Sequence, residues 1–405
     1  MLDPVNPASL GLDGGRLARL APWMNSYIER ERFPGAAVLI MRHGKPAYRH
    51  VTGCRDVENG KPWQEDTLVR AYSMTKPITS VALMTLYERG LFHLDEPVSA
   101  YLPEFADLQA LVPNATRADQ VEPVPAGPTI HQLLTHTSGL TYGFVGGVLA
   151  DAYVEAKIDF GPGSGGLAAM VKRTADLPLA FQPGTQWQYS VATDVIGRLV
   201  EVISGQSFDR YLQENVFAPL GMRDTAFGVA EEKLDRLAAL YGPHRDGGLR
   251  LLDPAADSVY RAERVSTCSG GGGLITSLED YARFAEMLRA GGLFQGERLL
   301  GPRTLRFMAS NHLPGDIASM GPDTFSETPF DGVGFGLGFW VMLDPARARL
   351  SASAGDYGWG GMASTVFWVD PLEDMVVLFL TQLSPSSTYP NRRELRALVH
   401  QALVA

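Results

Sequence analysis

Two alternating apolar runs lie at opposite ends of the chain. Gly35 to Ile40 is β-branched and apolar, Arg42-His43-Gly44-Lys45 supplies turn residues, and Ala47 to Val51 continues in alternation, which predicts a β-hairpin. Thr365 to Val369 and Met375 to Leu380, separated by Asp370-Pro371-Leu372-Glu373-Asp374, predict a second. Between them a helical period takes over. Ile78, Val81, Ala82, Leu83, Met84, Leu86 and Tyr87 make a helix apolar on nearly every face, hence buried, with Gly90 as its stop. Val191 to Ser204 is amphipathic and stops at Gly205. Ser207 caps a helix that ends before Gly221, and Ser277 caps Leu278 to Ala290. Asn391 to Val404 puts Leu395, Leu398, Val399 and Leu403 on one stripe.

Strands at both ends with helices between them predict an α+β fold. An antiparallel sheet built from both chain ends and flanked by helices takes residues 1–85 and 290–405, and a mainly helical domain takes 86–289. The seam between the two is the expected site. Glycine-rich Tyr142 to Gly166 is the expected mobile loop over it.

Composition narrows the function. A chain of 405 residues, 45% hydrophobic and 20% charged, can bury a large core, and no stretch has the length of a membrane span. Met1 to Leu20 lacks the basic start and greasy centre of a signal peptide, so a cytoplasmic protein is expected. A net charge of −10 argues against nucleic acid as a partner. Cys54 and Cys268 are isolated and read as buried thiols, and the histidines show no metal-ligand spacing. Neither a metal nor a cofactor is expected.

The chemistry is carried by Ser73-Met74-Thr75-Lys76. About one Ser-x-x-Lys is expected by chance in a chain of this size, so context decides. This one opens the buried helix, and Pro77 fits its first turn. Residues three apart on a helix are neighbours, which places a hydroxyl beside an ammonium at the helix's positive end. That pairing suits acyl transfer through a serine ester. Two further segments can complete it: Gln188-Tyr189-Ser190-Val191, with an aromatic hydroxyl just before a helix, and Tyr357-Gly358-Trp359-Gly360-Gly361-Met362, with glycines where a strand edge can approach a substrate. His136 reads as a structural histidine, Gly270 to Gly273 as close packing, and no serine sits in Gly-x-Ser-x-Gly.

In this order the three pieces resemble the serine β-lactamase and penicillin-recognising superfamily, and within it the family VIII carboxylesterases with a class C β-lactamase fold. Leu133-Leu134-Thr135-His136-Thr137-Ser138-Gly139-Leu140 and Pro219-Leu220-Gly221-Met222 share the resemblance, which spans almost the whole chain. It implies Ser73 as nucleophile, Lys76 and Tyr189 as proton-transfer partners, and the backbone N–H groups of Ser73 and Met362 as oxyanion hole. Trp359, Gly360 and Gly361 would contact substrate, with Tyr142, Phe144 and Phe181 as further lining. Two departures stand out. Val191 replaces the asparagine of the β-lactamase tyrosine motif, and Trp359 replaces the lysine of its strand motif. The tryptophan form resembles the esterase branch.

The resemblance therefore implies a hydrolase of small carboxylic esters, with short acyl chains expected. Alternatives are an acyltransferase to an alcohol or amine, a weak β-lactamase or D-amino-acid peptidase, and, in another class, an inert binding or sensor module. Ionising a free phenol at neutral pH costs roughly 4 kcal/mol. An ammonium about 4 Å away at an effective dielectric of ~20 returns about that amount. Tyr189 can thus take the Ser73 proton while Lys76 holds the charge, though Lys76 can equally be the base, because such a pair titrates as a unit.

Overall fold

The computed structural model describes residues 3–321 and 329–404. Its largest sheet is antiparallel: β1 Gly35–Arg42, β2 Lys45–Asp56, β3 Lys61–Pro62, β4 Val333–Phe335, β5 Trp340–Met342, β6 Tyr357–Gly360, β7 Val366–Asp370 and β8 Met375–Thr381, ordered β4-β5-β6-β7-β8-β1-β2-β3. The chain ends meet inside it, with Val38 opposite Phe379 and Ile40 opposite Val377. Both expected hairpins are present, β1 with β2 and β7 with β8.

Five helices matter for the site: α1 Leu20–Glu29, α2 Thr75–Glu88, α3 Ala192–Ser204, α4 Leu278–Arg289 and α5 Asn391–His400. Strand alternation decides which face each covers. Ala36, Val38 and Ile40 share a buried cluster with Leu20 and Met24 of α1 and Leu395 and Val399 of α5. Ala37, Leu39 and Met41 belong to the larger core with Phe284 and Leu288 of α4 and Val81 of α2. Both faces are covered, so β1 is apolar along its whole length although the sheet is antiparallel. Each buried Val, Leu, Ile or Met side chain contributes about 1.5–3 kcal/mol, which makes the sheet a rigid base for the groups at the end of β6. Although residues 278–289 fall in the 86–289 segment, α4 packs directly on β7 and β8.

Helix α2 is buried on nearly all sides and ends at Gly90, whose φ of +69° gives the left-handed stop. A 3₁₀ turn, Tyr72–Met74, leads into it, so regular α-helix starts two residues after Ser73. The helix expected after Ser207 is broken into Phe208–Leu212, a π turn over Gln213–Phe217, and Ala218–Leu220. Helix α5 closes at His400, short of Val404. No described helix is long and apolar enough to cross a membrane.

The stretch Tyr142 to Gly166, expected as a mobile loop, carries regular structure. It contains a turn at Gly143–Val145 and a helix at Ala150–Glu155, with Tyr142 and Tyr153 buried. Arg173, from the helix Leu167–Ala175, ties it down by donating to the carbonyls of Ala156 and Ser164, each at 2.7 Å. Glycines punctuate this segment, and its aromatic residues anchor it.

Candidate active site

Ser73 lies in the turn that leads into α2, facing the end of β6. The preceding Tyr72 has φ +46°, a costly backbone for an aromatic residue, held by edge-on packing of its ring against Phe160 and Tyr260. From the other side β6 brings in Gly361. A Cβ there would fall 2.5 Å from the Ala71 carbonyl, so only glycine lets this strand end approach the serine turn so closely.

The expected trio is assembled. The Tyr189 hydroxyl donates to Ser73 Oγ at 2.5 Å, and Lys76 Nζ stands 3.5 Å from the same oxygen. Lys76 also donates to the Gly271 carbonyl at 2.7 Å and to the Tyr142 hydroxyl at 3.0 Å. Behind them Asp194, in the first turn of α3, accepts from Ser269 Oγ at 2.6 Å and from the Gly271 N–H at 3.1 Å. A Cβ on Gly271 would lie 2.4 Å from Asp194 Oδ2 and 2.7 Å from the Tyr142 hydroxyl. Glycine at 271 is what lets carboxylate, phenol and lysine close on one another.

Burial sets the protonation states. It lowers the Lys76 pKa to about 7, against the pull of the Asp194 charge. It raises Tyr189, more than the hydrogen bonds with Ser73 and Trp359 and the charge of Arg392 lower it. Tyr142 is raised as well, by burial and then by Asp194. Asp194 is itself raised by burial, with Ser269, Lys76 and the Gly271 N–H pulling it back. This reverses the charge distribution of a tyrosinate beside an ammonium. Above about pH 7 the site holds an amine and a protonated phenol. A neutral amine has two N–H bonds, and the Gly271 and Tyr142 oxygens can take both, which turns its lone pair to Ser73.

Ser73 opens onto a cavity of about 200 Å³. Trp359, Gly360, Gly361, Met362 and Phe144 line it. The Trp359 ring packs 5.6 Å from that of Tyr189 and edge-on to Phe335. Among the described residues the Met362 N–H meets no acceptor, leaving a donor for an oxyanion. Tyr142 and Phe181 are placed differently from the expectation: both are buried and neither lines the cavity. His136 is buried, bonded through Nδ1 to Ser190 Oγ at 3.0 Å, with its pKa lowered by burial. Among the described residues no cluster of His, Cys, Asp or Glu could hold a metal.

The model of the β-lactamase family matches residues 20–401. The chain belongs to the β-lactamase family. Esterase EstB of Burkholderia gladioli is 36% identical over 394 residues, 93% of each chain. Monacolin J acid methylbutanoyltransferase of Aspergillus terreus is 28% identical over 93% of each. Among solved structures, EstCE1, described as a hydrolase with promiscuous acyltransferase activity, superposes with a TM-score of 0.80 at 26% identity, covering 95% of this chain and 99% of its own. The fold is thus that of the β-lactamases and penicillin-binding proteins, and the chain is a β-lactamase-fold hydrolase with an esterase among its relatives.

Within that family fold, sequence reasoning missed three contributors. Tyr142 was read as pocket lining, although its hydroxyl meets Lys76. Asp194 lies five residues after Tyr189 in an ordinary amphipathic helix, and only its place in the first buried turn marked it. The arginines of α5 also line the cavity, and their run was legible only as a helix's polar face.

Proposed function

We propose that this protein hydrolyses carboxylic esters with short acyl chains through a Ser73 acyl-enzyme. The observation that carries this reading is the convergence of Tyr189 and Lys76 on Ser73 Oγ, at 2.5 and 3.5 Å, at the mouth of a largely apolar cavity. Groups whose environments push their pKa values apart divide acid and base work between them. Neutral Lys76 takes the Ser73 proton as Oγ forms a bond to the ester carbonyl carbon. The N–H groups of Ser73 and Met362 receive the carbonyl oxygen as it becomes an oxyanion. Collapse breaks the bond to the alcohol, which leaves with the Tyr189 proton. The Lys76 ammonium then restores that proton, both groups standing within reach of Ser73 Oγ. Water then repeats the sequence on the acyl-serine. Trp359 packs against apolar substrate at the position where a β-lactamase carries its lysine, consistent with an ester as substrate. A cavity of about 200 Å³ suits small esters, since drug-sized sites run to roughly 300–1,000 Å³.

Acyl transfer to an alcohol is the second reading, favoured by the acyltransferase named among the relatives and by the acyltransferase side activity of EstCE1. One experiment addresses both: p-nitrophenyl butyrate turnover with and without an added alcohol. Butyric acid as the main product supports hydrolysis, and a butyrate ester of the alcohol supports transfer. In Ser73→Ala either activity drops by at least about a thousandfold. Undiminished turnover there contradicts both readings.

A further inference from the structure

Two glycines precede Met362, and the first of them makes room for an arginine. A Cβ on Gly360 would fall 2.6 Å from Nη2 of Arg392, a half-buried residue of α5, and 3.0 Å from the Thr365 carbonyl oxygen. That same Nη2 donates to the carbonyls of Gly361 and Thr365, at 2.9 and 3.0 Å. The Gly361 carbonyl also accepts from the Ser364 N–H at 3.2 Å, which closes a turn over residues 361–364. Ser364 has φ +65° in that turn; its hydroxyl donates to the Leu383 carbonyl, and its own carbonyl accepts from Asn391 Nδ2. The first two residues of α5 therefore hold both ends of the turn.

The consequence lies in one peptide bond. The Gly361 C=O and the Met362 N–H belong to a single trans unit, so they point in opposite directions. A carbonyl pinned by Arg392 and Ser364 aims the N–H the other way, and among the described residues that N–H meets no acceptor. A charged donor bonds roughly twice as strongly as a neutral one, and linked hydrogen bonds polarise one another. We infer that Arg392 is a positioning residue for the oxyanion hole: its guanidinium holds and polarises the Gly361–Met362 peptide, so that the Met362 N–H binds the oxyanion more tightly than the ester carbonyl. This rests on the ester-hydrolase reading and deepens it. The charge is felt at the reaction centre: burial raises the Tyr189 pKa, and Arg392 is among the groups that lower it.

Uncharged substrates test this, because they give the guanidinium no charge to bind. Arg392→Gln keeps an N–H donor and loses the charge. For ethyl butyrate its kcat is expected to fall about tenfold with KM within about twofold, since losing an oxyanion donor outright costs about 10²–10³. Arg392→Lys keeps the charge without the flat fork, and a smaller loss of about threefold is expected. Two ketones separate the aim of the N–H from the integrity of the cavity. Ser73 Oγ adds to the carbonyl carbon of 1,1,1-trifluoro-2-hexanone as its proton passes to Lys76, leaving an oxyanion in the hole, whereas 2-hexanone binds as a plain ketone. Inhibition by the trifluoroketone should weaken by the same factor as kcat/KM, and inhibition by 2-hexanone should stay within about twofold. The inference is overturned if, in every variant that folds, kcat is unaltered or the two ketones weaken alike. If wild type turns over no ester, the hydrolase reading fails by itself, and trifluoroketone binding then decides: weaker binding in Arg392→Gln supports the inference, and binding that is absent or unaltered overturns it.

Discussion

The inner and outer sides of Ser73 are built differently. Inward, Lys76, Tyr142 and Asp194 are all within 1% of complete burial and locked around Gly271. Outward, the cavity wall is partly open to solvent: Phe144 is 48% exposed and Arg393 is exposed. Burial costs a charged lysine several kcal/mol of solvation, and that cost is what turns an ordinary amine into a base near neutral pH. Solvent on the other side lets substrates of differing shape enter and keeps charge effects there screened. Inner substitutions should therefore change the pH profile and kcat, whereas outer ones should change which ester is chosen.

That contrast can be broken in several places, beginning with the largest effect. Tyr189→Phe removes the proton donor to the leaving alcohol, and kcat should fall by about 10²–10⁴-fold. Near-native turnover of ethyl butyrate, whose alkoxide needs a proton to leave, would remove the phenol from the reaction. Next comes the pH profile. Below a pH of about 7 Lys76 is an ammonium with no lone pair for Ser73, so kcat/KM should fall about tenfold per unit on the acid side and level off above it. The Asp194 charge favours the ammonium, so Asp194→Asn should move that acid limb to lower pH, with the plateau reduced by about tenfold or less because asparagine keeps an acceptor for Ser269 and Gly271. A limb that stays in place would show that Asp194 only holds structure. Smallest is Met362→Ala, expected to stay within about twofold, since only the backbone N–H of this residue is used. Losing an oxyanion donor outright costs about 10²–10³.

Much of the fold was legible because both central strands are covered on two faces and announce themselves as unbroken apolar runs between turn residues. The Ser73 to Lys76 spacing was legible for a similar reason, being local to one helix. Tyr189 needed the family resemblance, because nothing in a lone tyrosine before a helix separates a reactive phenol from a core one. Tyr142, Asp194 and Gly271 come from three separate parts of the chain, and their meeting is a product of tertiary packing that no local period encodes. The direction of charge between Lys76 and Tyr189 was hidden likewise. A Coulomb estimate from a surface-like dielectric favours ammonium and tyrosinate, whereas complete burial favours their neutral forms. The glycines of Tyr142 to Gly166 hid the short helix and the two buried rings, Tyr142 and Tyr153, that this segment contributes.

Acid-quenched mass spectrometry during turnover of p-nitrophenyl butyrate tests the central claim most directly. The account predicts a gain of one butyryl group on the peptide that contains Ser73, absent in Ser73→Ala and cleared as the substrate is exhausted. Steady turnover with the acyl group on another residue, or undiminished turnover in Ser73→Ala, would contradict it.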